Sequence, residues 1–279
     1  MRNEVYPHAP VRFVAFAVHF PLSPKLQHQE IQEAVYERLA GTFPLLEIVS
    51  AMQVQIPINV GGENQIPALP QVPQKLRMMN RERTRSVTIG PRVIAMEFTD
   101  HESYAKLRVL IAEVLTALVA VVEPAAMSAV VLQYIDEIRH PSVQGVPDWN
   151  GLLSDSLVGP IALVDADVVQ TSAIVVYKLT DAHEVRVVHG AAPEGFAVDP
   201  NGPLRVEPAE EGPFFRLDIA SEWTAPPESV PPFTIDGVLA LADQLHAPIR
   251  EAFETAITED LREHFRATVK AGEGAASGS

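Results

Sequence analysis

The sequence predicts an α+β protein of two related halves, each a mainly antiparallel sheet covered by one or two helices. Three observations lead there. Short apolar or alternating runs, bounded by proline and glycine, recur along the chain and read as strands. Two longer runs, residues 104–122 and 235–257, carry an apolar stripe at helical spacing. The segment order is β-α-β-loop-β-β-α-β, then β-β-loop-β-α, without the strict alternation of a doubly wound sheet. A hairpin followed by a long helix occurs in each half, which is the basis for expecting a diverged repeat. The expected divisions are 1–145, 146–270 with the long final helix, and a disordered tail of small residues at 271–279.

Each element has its own warrant. Residues 11–20 (VRFVAFAVHF) are apolar at nearly every position, the pattern of a strand buried on both faces. Ser23 and Pro24 open a helix to Leu39, with Ile31, Val35 and Leu39 on one face, and Gly41 stops it. Residues 45–56 alternate loosely as a second strand. Residues 57–75 hold Pro57, Pro67, Pro70, Pro73, Gly61 and Gly62, and read as a long loop. Residues 76–98 form a hairpin turning at Gly90 and Pro91. Asp100 or Ser103 caps the next helix, whose stripe runs from Tyr104 through Leu107, Ile111, Val114 and Leu118. Pro124 ends it, and residues 129–139 form a strand.

Pro141, Pro147, Gly151 and Pro160 mark the boundary between the halves. Strands at 172–179 and 184–189 turn around Asp181, and 193–213 is a second long polar loop. Residues 214–223 alternate, with Phe215, Leu217, Ile219 and Trp223 on one face. Thr234 caps the final helix, and Pro248 kinks it by removing a backbone bond. Residues 258–269 continue that helix or restart it.

Composition narrows the function classes. The chain has 279 residues, 47% of them hydrophobic, and its net charge is −15. Such a surface repels phosphate backbones and anionic bilayers, so neither nucleic acid nor membrane is the expected partner. It suits solubility or steering towards a basic protein partner. There is no cysteine, which excludes disulfides, thiolate metal sites and a cysteine nucleophile. The first ten residues lack a basic segment followed by an apolar run, and residues 109–122 are too short to span a bilayer, so a cytoplasmic protein is expected.

Few residues suggest chemistry. On one strand, Arg77, Arg81, Arg83 and Arg85 would share a face as a positive stripe, able to bind an anion or an acidic partner. The alternative is a solvated sheet face paired with carboxylates. His183 and His189 share a strand face, but roughly 20 Å apart, too far to chelate one ion. Asp165 and Asp167 form a D-x-D pair, the weak candidate for a divalent cation, with no third carboxylate nearby. His19 reads as a core histidine, and His246, with Asp243 and Arg250 near it, as a contact to the sheet. P-loop, dinucleotide, nucleophile-elbow and H-E-x-x-H motifs are absent, no catalytic residue is assigned, and no cofactor is expected.

Three segments together resemble a known family: Tyr6-Pro7-His8-Ala9-Pro10-Val11, then Val131-Leu132-Gln133-Tyr134-Ile135-Asp136-Glu137-Ile138, and finally Leu245-His246 with Ile249, Phe253, Ile257-Thr258 and Leu261. The pattern is similar to a sporadically distributed family of uncharacterised bacterial proteins, known mainly by a profile-model number. Gln133, Asp136 and Glu137 depart from the Arg, Asn and Arg more usual there. The resemblance implies a bacterial cytosolic protein of patchy occurrence, in the manner of accessory or defence-associated genes, and brings no activity or catalytic residue.

The leading expectation is a non-catalytic protein-interaction or accessory protein, a homodimer among the possible forms. The alternatives are a small-ligand or anion-binding module centred on the arginine segment, and a metal-dependent enzyme of unfamiliar type.

Overall fold

The computed structural model describes residues 6–49, 75–159 and 166–267. Expectations for the loop at 57–74, for Asp165 and for the tail at 271–279 lie outside the described residues.

The chain is α+β. Among the described residues nine strands form one antiparallel sheet: β1 (Val11–His19), β2 (Leu45–Val49), β3 (Lys75–Met79), β4 (Arg85–Gly90), β5 (Val93–Phe98), β6 (Ala129–Ile138), β7 (Ala173–Thr180), β8 (His183–Ala192) and β9 (Phe214–Thr224). Their order across the sheet is β2-β3-β4-β5-β1-β6-β9-β8-β7. Both predicted halves thus enter a single sheet, joined where β6 pairs with β9 from Ala129↔Thr224 to Ile138↔Phe215. Residues 11–119 include a central strand (β1), a three-strand meander (β3–β5) and then a long helix. Residues 129–256 include the same order (β6, β7–β9, long helix), a correspondence that starts before β6 and not at the predicted boundary of 145. The two central strands lie side by side, antiparallel, from Val11↔Asp136 to His19↔Ala129.

Alternation decides which face each side chain takes. Val14, Phe16, Val18, Met78, Val87, Ile94, Met96, Leu132 and Ile219 point to one face and are buried. Covering that face are α1 (Gln29–Leu39), α2 (Tyr104–Val119), α4 (Ile235–Ala256) and α5 (Glu259–Arg266), while the single turn α3 (Asp155–Val158) packs at the margin. The Oγ of Ser103 accepts the Lys106 amide and that of Thr234 the Gly237 amide, as expected of helix caps. Among the described residues no helix is long and apolar enough to cross a membrane.

Several expectations need correction. Strand β1 is buried on one face only, and its other face is half-buried. His19 is exposed at its end rather than in the core. A short 3₁₀ turn, Lys25–Gln27, precedes α1, so Pro24 opens that turn and the helix begins at Gln29. Helix α4 keeps its helical assignment through Pro248, with Leu245 and Ile249 on either side buried in the core. It ends at Ile257 and Thr258, whose extended backbone caps α5, so the residues from 258 restart a helix and do not continue α4.

The opposite face of the sheet is polar, carrying Arg77, Thr88, Glu97, Gln133, Arg216 and Asp218. The polar loop at 193–213 lies across one end of it. Ala197 N donates to Glu137 Oε2 at 2.7 Å, and Arg139 donates to the carbonyls of Gly195 and Gly212 at 2.8 and 2.5 Å. At its far reach Arg205 N donates to the Arg83 carbonyl at 2.7 Å.

Candidate functional site

The structure divides the arginine segment. Chain direction reverses at Asn80, whose Oδ1 accepts the amides of Thr84 and Arg85 at 2.8 and 2.9 Å. Arg83 takes the left-handed conformation, φ 57°, that this tight reversal needs. Arg77 therefore lies on the polar face of β3, Arg81 and Arg83 lie in the turn, and Arg85 opens β4 on the helix side. The four do not share a face. Carboxylates meet three of them: Glu97 at 3.8 Å from Arg77, Glu47 at 3.7 Å from Arg83 and Asp100 at 2.9 Å from Arg85.

The other candidates are likewise scattered. His183 Nε2 lies 2.8 Å from Ser221 Oγ, while His189 stacks on Phe215 further along β8. Asp167 is exposed. Among the described residues no group of three His, Asp or Glu side chains could hold a metal ion.

A different place gathers polar groups. Between α2, α4 and the end of β6 lies a pocket of about 440 Å³, within the range of small-molecule sites. Its sheet side presents Tyr134 and Asp136, two residues apart on the helix-facing side of β6. One wall is His101 to Ala105, the turn into α2; the other is His246, Ile249, Arg250, Phe253 and Glu254 of α4. Tyr6, Ala9 and Val11, the chain leading into β1, close the remaining side.

Rings line this pocket in series. His101 meets Tyr134 edge-on with centroids 5.1 Å apart, Tyr134 lies 6.1 Å from His246, and His246 stacks on Tyr104 at 3.9 Å. Tyr104 Oη donates to Asp243 Oδ1 at 2.7 Å, and Arg108 Nε donates to the same oxygen at 2.9 Å. Glu254 accepts from Tyr6 Oη and from Arg262 Nε, both at 3.2 Å. These contacts fix the walls.

The sheet side is different. Asp136 is 2% exposed, and its Oδ1 has no hydrogen-bond partner among the described residues. Tyr134 Oη is in the same condition. Buried polar atoms are nearly always paired, since leaving one unpaired costs about 1–3 kcal/mol. Desolvation, reinforced by the like charge of Asp218 on β9, pushes the Asp136 carboxyl up to about 8. Burial raises Tyr134 and Tyr104 as well, and Tyr104 further through its bond to Asp243. His101 and His246 are both lowered to about 4 by burial, helped by His246 in the first case and Arg250 in the second. Near neutral pH the pocket therefore holds neutral imidazoles, phenols and a protonated carboxyl.

Helical spacing places Tyr104 in a core stripe and His246 against the sheet, and no pattern in the sequence marks His101. The visible signal was Asp136, an acid inside an apolar strand. Comparisons with protein-family models, with curated proteins and with solved structures return no match.

Proposed function

We propose that this chain is a non-catalytic binding protein whose pocket between α2, α4 and β6 takes a small organic ligand. One observation carries the reading: Asp136 Oδ1 and the hydroxyl of Tyr134, buried and unpartnered among the described residues, face a pocket of rings and aliphatic groups rimmed by Glu102, Arg250 and Glu254. A ligand with an apolar body and a polar head would satisfy both. The three segments behind the family resemblance also meet here, since Tyr6 and Val11, Tyr134 and Asp136, and His246, Ile249 and Phe253 all line the pocket. The arginine segment is the less favoured anion site because carboxylates already occupy three of its four guanidiniums.

The test is a thermal-shift screen with fragments of apolar body and one polar head. A ligand at 100 times its Kd stabilises by about 2.7 kcal/mol. Hits are expected, and Tyr134→Phe and the space-filling Ala105→Phe should weaken them. A screen without hits, or hits indifferent to both substitutions, overturns the reading.

A second reading keeps the protein-interaction function, with a second copy of this chain as the partner. The exposed edge strand β7 favours it: Ile174, Val176, Tyr177 and Leu179 are each half exposed or more. Mass in solution is its test. The matched order of central strand, meander and helix in residues 11–119 and 129–256 supports descent of these two segments from one repeat. A cytoplasmic setting fits the absence of cysteine and the net charge of −15.

A further inference from the structure

The charges around the pocket restrict what its polar head can be. The charge acting on Asp136 is that of Asp218, which is of the same sign. Arg250, the cationic side chain of the α4 wall, acts on His246 instead. From the α2 side Asp136 meets neutral His101 and Tyr104 and the carboxylate of Glu102; from α4, neutral His246, Arg250 and Glu254; from the chain before β1, the phenol of Tyr6; and from its own strand, Tyr134. An anionic head would meet a protonated Asp136 that offers it no charge, beside Glu102 and Glu254, whose own charges Lys106 and Arg262 already offset. A cation would find an ionisable carboxyl with no counter-charge acting on it among the described residues, a phenol oxygen without a partner among them and several π-faces.

We propose that the pocket takes a small organic ammonium ion with an apolar or aromatic body, its nitrogen seated at Asp136 and Tyr134. The inference rests on the pocket reading above and names its ligand class. The ammonium donates to Asp136 Oδ1 and to Tyr134 Oη, and the body lies against Val11, Ile249 and Phe253. Asp136 carries a proton in the empty pocket near neutral pH. Seating the cation therefore expels that proton to the buffer, and the ammonium keeps all of its own.

Calorimetry on the full chain at about pH 7 decides the matter, with benzylamine, benzyl alcohol and benzoate as one matched set and cyclohexylmethylamine, its alcohol and its acid as another. Within a set the amine should bind about tenfold or more tightly than the alcohol, the ratio expected when a hydrogen bond gains a charged partner. Asp136→Asn should abolish that advantage, bringing the amine's affinity down to that of the alcohol in the same variant. Repeating the titration in buffers of different ionisation enthalpy should show close to one proton released per amine and none per alcohol. An alcohol or acid that binds as tightly as its amine, or amine binding without proton release, overturns the ammonium assignment and leaves the pocket reading standing. Failure of every compound overturns both. The proton count and the amine-to-alcohol ratio are read on the unaltered protein, so the test stands even where the Asn variant does not fold.

Discussion

Burial raises the Asp136 carboxyl to about 8, against 3.8 for the free side chain, so the folded protein holds a proton that the unfolded chain gives up between those values. The unfolded state binds fewer protons there, and stability falls as pH rises, by roughly 1 kcal/mol per unit. This contribution is complete below 3.8 and lost on passing about 8. His101 and His246 act in the opposite sense. Their folded values of about 4 lie below the ordinary 6.5, so the stability they give is present above 6.5 and lost as pH falls towards 4. Together the three groups place a stability maximum near 6.5, with an acid limb from the histidines and an alkaline limb from Asp136. Asp136→Asn should remove the alkaline limb. Urea midpoints at about pH 5 and about pH 8 should show the variant more stable than wild type, with the larger gap at the higher pH. A variant less stable at the higher pH would contradict a buried, protonated carboxyl. This site was only partly legible in the sequence, for a physical reason. Periodicity shows the face a residue takes on its own element, so Tyr104, Asp136 and His246 could each be placed inward. It does not show which helix crosses which strand, and the pocket exists only through that crossing.

Elements were more legible than contacts between them. Strands β6 and β9 and helices α2 and α4 follow from their own alternation or stripe, because burial of one face is written locally. The reversal between β3 and β4 was missed because RMMNRERTR contains neither glycine nor proline. An asparagine side chain and a left-handed arginine make that turn instead. The polar loop at 193–213 was recognised as a loop, but its role as a strap was not. Its anchor is Arg139, which bonds the carbonyls of Gly195 and Gly212 at the two ends, pairs with the buried Glu137 at 2.9 Å and lies over the Phe214 ring. Arg139→Ala removes both tethers and one partner of a buried ion pair, a loss of about 3 kcal/mol or more. Limited proteolysis should then show cleavage within 196–211 well before the sheet unfolds, whereas the wild-type strap should resist. Equal cleavage of the two proteins would mean that Arg139 does not hold the strap.

Among the described residues the molecule is one sheet whose outermost strands are β2 and β7, and that arrangement was not readable in advance. Pairing of β6 with β9 crosses the predicted boundary at residue 145, and such long-range neighbours leave no periodic trace. Of the two edges, β7 is the less guarded. Edge strands are usually blunted by charge, proline or a bulge; in β7 the irregularity is confined to its end, between Lys178 and Thr180, and its charge, Lys178, is already offset by Asp181 at 2.8 Å. In a chain of net charge −15 this is a locally neutral, apolar strip where two copies can approach without repulsion. Antiparallel self-pairing about Val176 sets Ile174 opposite Lys178 and Val175 opposite Tyr177, which extends apolar contact on both faces. The wild-type chain should then show a mass that rises from monomer to dimer with concentration in light scattering. Salt should favour the dimer by screening the remaining acidic surface. Val176→Lys places two lysines face to face at the dyad and should leave a monomer. Because Val176 is 55% exposed, its melting temperature at low protein concentration should stay close to that of wild type. A wild-type chain that remains monomeric at about 1 mM, the weak end of specific association, would remove the second copy as the partner of β7.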